Sequence, residues 1–216
     1  MTQGPAPGVA SLGQVARRGA DILIAGSALL LLAPVMMIIG AAIRLTSPGP
    51  ALFEQLRVGL DREPFCFYKF RTMRVGGDDS ALREMISREL RGEDTSSRGS
   101  RKLDGDVRVT KIGSFLRRSS LDELPQLFNV LRGDMTLVGP RPCLGWEAQV
   151  FPSEFDERFS VRPGLTGLWQ VSGRSTVGTL DMLRLDVLYV RRRTLLGDVA
   201  ILMRTIPVLL RGDGAR

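Results

Sequence analysis

Apolar and polar positions are unevenly spread along the chain. Residues 22–43, ILIAGSALLLLAPVMMIIGAAI, carry no charge, with Arg17 and Arg18 before them and Arg44 after. Such a run is long enough to span a bilayer as a helix, and too long for the apolar part of a secretory leader. Pro34 divides it into 22–33 and 35–43. At ~1.5 Å per residue these pieces are about 18 and 14 Å long, each near half of a ~30 Å hydrocarbon layer. A hairpin with both ends on one face fits these lengths, as does a kinked single pass. Arginines on both flanks (17 and 18; 44, 57 and 62) place both ends in the cytoplasm by the positive-inside rule. Residues 1–16, rich in Gly, Pro, Ala and Ser, read as a disordered tail.

Beyond Arg44 the periods change. PALFEQLRVGL (50–60) and PFCFYKFRTM (64–73) are β-prone runs around a polar DRE, which predicts a hairpin. Residues 75–105 are polar and Gly-rich, a mobile excursion with a helix near 80–91. From Lys111, apolar residues at 112, 115, 116, 121, 124, 127, 128 and 131 follow a helical spacing that ends on Gly133 as a C-terminal cap. TLVGPRP and RPGLTGLWQVSGRS are turning or short extended segments, and LDMLRLDVLYVRRR is helical again. The closing stretch TLLGDVAILMRTIPVLL is interrupted by Asp198 and Arg204 and broken by Pro207, so it does not span. An amphipathic helix on the membrane surface and a helix in the soluble core both fit it. The class is α+β and mostly helical, with a small hairpin.

Composition narrows the chemistry. The 216 residues carry a formal charge of +7, which favours an anionic partner: nucleic acid, phosphorylated substrate or anionic lipid. Histidine is absent, so catalysis must fall to carboxylates, Lys, Tyr, Cys or Ser. Two cysteines, Cys66 and Cys143, make no disulfide framework.

Within SLDELPQ, Asp122 and Glu123 stand together. Either Ser120 and Glu123 form a capping box, or Pro125 opens the helix with Leu124 extended. Both place the carboxylates at a helix start, where an ionised carboxylate and an incoming phosphate are favoured. Alone, such a pair is most simply a cap. Lys69, Arg71, Arg117, Arg118, Arg141 and Arg174 lie in short, turn-rich or edge segments beside aromatics and glycines, a setting suited to phosphate.

On the basic-flanked apolar helix with its central proline, KFRTM (69–73), SLDELPQLFNVLRGDMTLVGPRP (120–142) and RPGLTGLWQVSGR (162–174), the chain resembles the bacterial sugar transferases, the monotopic polyprenyl-phosphate phosphoglycosyl transferases. The likeness covers almost everything after residue 16. It implies transfer of a sugar 1-phosphate from a nucleoside diphosphate sugar, usually a UDP-sugar, to polyprenyl (undecaprenyl) phosphate with release of UMP. That is the first membrane step of exopolysaccharide, O-antigen, capsule or glycoprotein glycan assembly. It also implies a re-entrant membrane helix over 17–44, bent at Ala33-Pro34, and a catalytic domain over 45–216 on the cytoplasmic face of the inner membrane, with interfacial helices. By that resemblance Asp122 is the nucleophile and Glu123 helps hold Mg²⁺. Lys69, Arg71, Arg117, Arg141 and Arg174 serve the phosphate and nucleotide site, and Pro140 and Pro142 shape the nucleotide turn. Many relatives carry Ser where this chain has Ala33, so the bend needs another partner. Larger members have further N-terminal membrane helices, against which this chain looks like a minimal catalytic unit. Two other classes remain: a membrane-tethered basic module with no turnover, for which no nucleic-acid motif speaks, and a metal-dependent nucleotide-sugar hydrolase that needs no lipid.

Overall fold

The computed structural model describes residues 12–74, 80–95, 108–173 and 177–211. The first eleven residues of the expected tail, residues 75–79 and 96–105 of the expected excursion, and Arg174 lie outside them. Helix α1 runs from Leu12 to Thr46 and is the one helix among the described residues long and apolar enough to cross a membrane. It takes in residues 12–16, which were expected to belong to the tail, and it continues through Pro34. Two helices separated by a turn, the expected hairpin, are not seen; the lost hydrogen bond of Pro34 is absorbed within one helical element. Both halves of α1 nonetheless pack on the rest of the protein. Asp21 and Ala25 are buried near one end and Ile39 and Ile43 near the other, while Leu30, Leu31, Met37 and Ile38 between them are exposed.

Strands β1 (Leu52–Val58) and β2 (Pro64–Phe70) form the expected antiparallel hairpin, with Leu56 opposite Cys66 and Phe53 opposite Lys69. Helix α2 covers Ser80–Leu90. The helical spacing from Lys111 to Arg132 is carried by three short segments, with the expected helix start falling at Pro125. Helix α3 (Lys111–Arg118) is capped by the Thr110 side chain, which accepts from Gly113 N–H. Ser120 then takes a left-handed conformation (φ 55°), Leu121–Glu123 make a 3₁₀ turn, and α4 (Gln126–Arg132) begins after Pro125. Ser120 makes no side-chain cap bond and Leu124 is helical (φ −54°, ψ −37°), so neither the capping box nor an extended Leu124 exists. Apolar spacing alone does not register such a break, because Leu116, Leu121, Leu124 and Leu127 still reach the core from successive short segments. Gly133 caps α4 in the left-handed region (φ 91°), as expected.

Strand β3 (Thr136–Val138) pairs in parallel with β4 (Gly164–Thr166), joining two segments distant in sequence. Glycine is required at this junction: a Cβ on Gly164 would fall 2.0 Å from Gly139 N. Helices α5 (Gly145–Val150), α6 (Leu168–Val171), α7 (Thr179–Arg192) and α8 (Leu195–Arg211) complete the chain, with a 3₁₀ stretch at Ser153–Ser160. Pro207 does not end α8, which runs past it. The central core gathers Ala25, Phe67, Leu127, Val130, Met135 and Ile201, from α1, β2, α4, the loop after α4, and α8. Side chains of this kind contribute about 1.5–3 kcal/mol each on full burial, so α1 and α8 are integral to the fold.

The charges near the ends of the apolar helices prove to be structural. Asp21 accepts from Thr136 Oγ1 (2.7 Å) and from Leu137 N–H (2.9 Å). Arg18 donates to the carbonyls of Val130 and Leu131 at the end of α4, both at 2.6 Å. Arg17 pairs with Asp198 at 2.6 Å, and the Tyr189 hydroxyl donates to the same carboxylate. Asp198 thus interrupts the closing apolar stretch because it faces inward. Leu196, Val199, Met203 and Ile206 form an exposed stripe along α8, the expected amphipathic pattern.

Candidate active site

A cavity of about 570 Å³ opens between α1, α8, the β2 strand and the 3₁₀ turn. One wall is apolar, with Ile24, Ala28 and Leu32 from α1 and Leu202, Ile206 and Leu209 from α8. The charged part of the lining comprises Arg57, Lys69, Arg117, Arg141, Asp122 and Glu123. Lys69 reaches it because it alternates with Phe67 on one face of β2. Arg117 comes from the last turn of α3, and the two carboxylates from the 3₁₀ turn that the left-handed Ser120 allows. Arg141 and Pro142 come from the turn after β3.

Burial pushes the Asp122 carboxyl up to about 6, and the neighbouring Glu123 charge adds to this; Lys69 and Arg117 pull it back. The 3₁₀ turn lends it no long helix dipole, so ionisation at neutral pH rests on these cations rather than on the helix start that the sequence suggested. A carboxylate of raised basicity is a better nucleophile. Lys69 is driven the other way: burial lowers it most, the charges of Arg57, Arg117 and Arg141 add to that, and Asp122 opposes them. The cations of this wall therefore repel one another, an arrangement that an anionic ligand relieves.

Six of the residues singled out from sequence meet here: Lys69, Arg117, Asp122, Glu123, Arg141 and Pro142. Pro140 is buried behind them, its carbonyl accepting from Gly164 N–H at 2.8 Å. Arg71 does not line the cavity. It lies past the end of β2 and is buried, its guanidinium donating to the carbonyls of Pro48 (2.6 Å) and Ser47 (2.8 Å) and to Ser47 Oγ (2.9 Å). It clasps the turn after α1, where Gly49 has φ 111°. Ala33 and Pro34 lie on α1 next to Leu32, outside the cavity lining. Arg174 falls outside the described residues.

Two wall residues were not singled out. Arg57 on β1 stacks 5.3 Å from the Phe67 ring and pairs with Glu147 at 3.9 Å. Trp169 on α6 sits 5.7 Å from the Arg141 guanidinium. Arg57 could have been found from its alternation in β1; Trp169 had no local signal beyond its neighbours.

A magnesium site is testable against this donor set. Among the described residues no cluster of three His, Cys, Asp or Glu side chains stands ready as a complete cage. Mg²⁺, however, is commonly held by one or two carboxylates together with substrate phosphates and water. Glu123 beside Asp122 on a cationic wall fits that pattern.

Comparison with known proteins adds to this geometry. The profile of the bacterial sugar transferase family matches residues 12–212. The chain is 39% identical over 207 residues to the exopolysaccharide production protein ExoY of Rhizobium meliloti, covering 96% of this chain and 91% of that one. It is 40% identical over 222 residues to a UDP-glucose:undecaprenyl-phosphate glucose-1-phosphate transferase of Caulobacter vibrioides, covering 98% and 75% respectively. It is also 41% identical over 203 residues to the galactosyl transferase CpsE of Streptococcus agalactiae, covering 94% of this chain but 44% of CpsE. With the apolar and charged walls of one cavity built from the very segments these proteins share, the chain belongs to the bacterial sugar transferase family.

Proposed function

We propose that the protein transfers a sugar 1-phosphate from a UDP-sugar to undecaprenyl phosphate at the cytoplasmic face of the inner membrane, as a step in exopolysaccharide or capsule assembly. The carrying observation is the mixed lining of one cavity, apolar where α1 and α8 form its wall and charged where four cations and two carboxylates do. A substrate with a long hydrocarbon and a phosphate head fits both parts of the lining at once, and a nucleotide sugar meets the charged one. Transferases named for UDP-glucose and undecaprenyl phosphate stand among the relatives.

In this reading an Asp122 carboxylate oxygen attacks the sugar-proximal phosphorus of the diphosphate. The P–O bond to UMP breaks, UMP leaves with the bonding electrons, and an aspartyl phosphosugar remains. A phosphate oxygen of undecaprenyl phosphate then attacks the same phosphorus and returns the Asp122 carboxylate. Lys69, Arg117 and Arg141 bind the anions and offset charge as it develops on the departing phosphate. Glu123 would hold Mg²⁺, which offsets further phosphate charge when bound. Removing the ion should therefore suppress turnover.

The re-entrant course of α1 is part of the proposal. Arg17, Arg18 and Asp21 at one end, and Ile39, Ile43 and the Ser47 turn at the other, attach to the same folded body. A body that lies on one side of a membrane would keep both ends of α1 there, with the exposed middle of the helix in lipid.

The test is trapping. Purified protein with radiolabelled UDP-glucose or UDP-galactose and Mg²⁺, without lipid acceptor, should become labelled and release at most one UMP per chain. Adding undecaprenyl phosphate should discharge the label. Asp122→Asn should abolish both label and transfer, about a 10³-fold loss or more by the scale of other nucleophile removals. Near-normal turnover by Asp122→Asn overturns the covalent route, and UMP release that never needs lipid points to hydrolysis.

A further inference from the structure

The Pro140-Arg141-Pro142 turn aims Arg141 into the cavity, and its backbone is tied down at every carbonyl. Pro140 O accepts from Gly164 N–H (2.8 Å) and Cys143 O from Val58 N–H (2.9 Å). Pro142 O accepts from Arg57 Nη1 at 3.3 Å. The carbonyl of Arg141 itself is taken by Arg158 Nη2 at 2.7 Å. Arg158 is 3% exposed and lies in the 3₁₀ stretch, and its guanidinium also pairs with Asp186 on α7, at 2.8 and 3.2 Å; Asp186 is 1% exposed. The rings of Phe151 and Phe159 lie 5.3 and 5.0 Å from the Arg158 guanidinium, and Cys143 Sγ accepts from its Nη1 at 3.3 Å. Neither Arg158 nor Asp186 lines the main cavity.

A buried ion pair is weak evidence of stabilisation, since well-packed apolar residues often replace one without loss. What this pair has that apolar residues lack is a donor to the Arg141 carbonyl, with Asp186 fixing the guanidinium that supplies it. A part-buried carbonyl at the centre of the turn needs such a partner, and the guanidinium of Arg158 supplies it. We infer that Arg158 and Asp186 are positioning residues, a buried ion pair that holds the Arg141 backbone so that its guanidinium meets the nucleotide phosphate. The inference rests on the proposed function, which makes Arg141 a nucleotide contact. Lysine cannot replace Arg158, because one ammonium cannot reach Asp186 and the Arg141 carbonyl with the same forked geometry.

The experiment is a double-mutant cycle on UMP affinity, read by calorimetry on the full chain in nanodiscs with Mg²⁺, with thermal melting alongside. Arg158→Lys and Arg141→Ala should each weaken UMP about tenfold, and the double variant should bind no worse than Arg141→Ala alone, because Arg158 acts only through Arg141. The apolar pair Arg158→Met/Asp186→Leu keeps the packing, should melt near the parent temperature and should show the same loss, so it replaces Arg158→Lys if that variant does not fold. Additive losses, or unchanged affinity in Arg158→Lys or in the apolar pair, overturn the inference while leaving the proposed site intact. Unchanged affinity in Arg141→Ala overturns it as well. A parent protein that does not bind UMP overturns the proposed function, and this inference with it.

Discussion

At the scale of single residues, type and neighbourhood did not separate arginines that face the cavity from arginines that hold the chain. Arg71 and Arg141 both sit beside turns rich in Pro or Gly, yet Arg71 is buried on the carbonyls of Ser47 and Pro48 while Arg141 is exposed toward the cavity. The two should separate cleanly by experiment. Arg71→Ala removes charge-assisted bonds from a buried turn and should cost about 2–4 kcal/mol of stability, seen as a lower melting temperature. Arg141→Ala should leave the melting temperature nearly unchanged and instead raise the KM for the nucleotide sugar. The reverse pattern would return Arg71 to the site. The sequence sets Asp122 beside Glu123, but the raised basicity of its carboxyl follows first from burial, with the Glu123 charge adding to it and Lys69 and Arg117, neighbours only after folding, opposing it.

At the scale of elements, the β1–β2 hairpin, α2, α7 and the Gly133 cap were all legible, because each depends on patterns within one short stretch of chain. The helix start at Pro125 was legible too, whereas the left-handed Ser120 and the 3₁₀ turn before it were not, since an apolar period continues across them. The outer edge of β2 shows why neighbouring elements matter. Asn129 of α4 is fully buried; its Oδ1 accepts from Tyr68 N–H (3.1 Å) and its Nδ2 donates to Cys66 O (2.6 Å), closing the edge of a two-stranded sheet. Asn129→Leu keeps the volume but strands both backbone groups, which should lower stability by about 2–4 kcal/mol and the melting temperature by roughly 5–15 °C. A melt within a degree or two of the parent would mean that the edge finds other partners.

At the scale of the whole molecule, reporters fused before residue 1 and after residue 216 should both be cytoplasmic, since both ends of α1 are bolted to one body. A reporter on the far side of the membrane at either end would refute the re-entrant course. Pro34→Ala should leave this topology in place, because Arg17–Asp198, Arg18 on α4 and Asp21 on β3 hold the first half of α1 whatever happens at its middle. A spanning Pro34→Ala variant would instead assign the topology to the proline. The sequence alone determined the apolar helix, the β1–β2 hairpin, the Gly133 cap and the carboxylate pair, for these follow from periodicity and from residue types over short spans. Only the tertiary structure decided that Asp21 and Asp198 turn inward, that β3 pairs with β4, and that Lys69, Arg117 and Arg141 converge on Asp122. The physical reason is that each of these is a contact between segments tens of residues apart, set by which buried polar groups find partners when the elements pack, and local pattern carries no record of that choice.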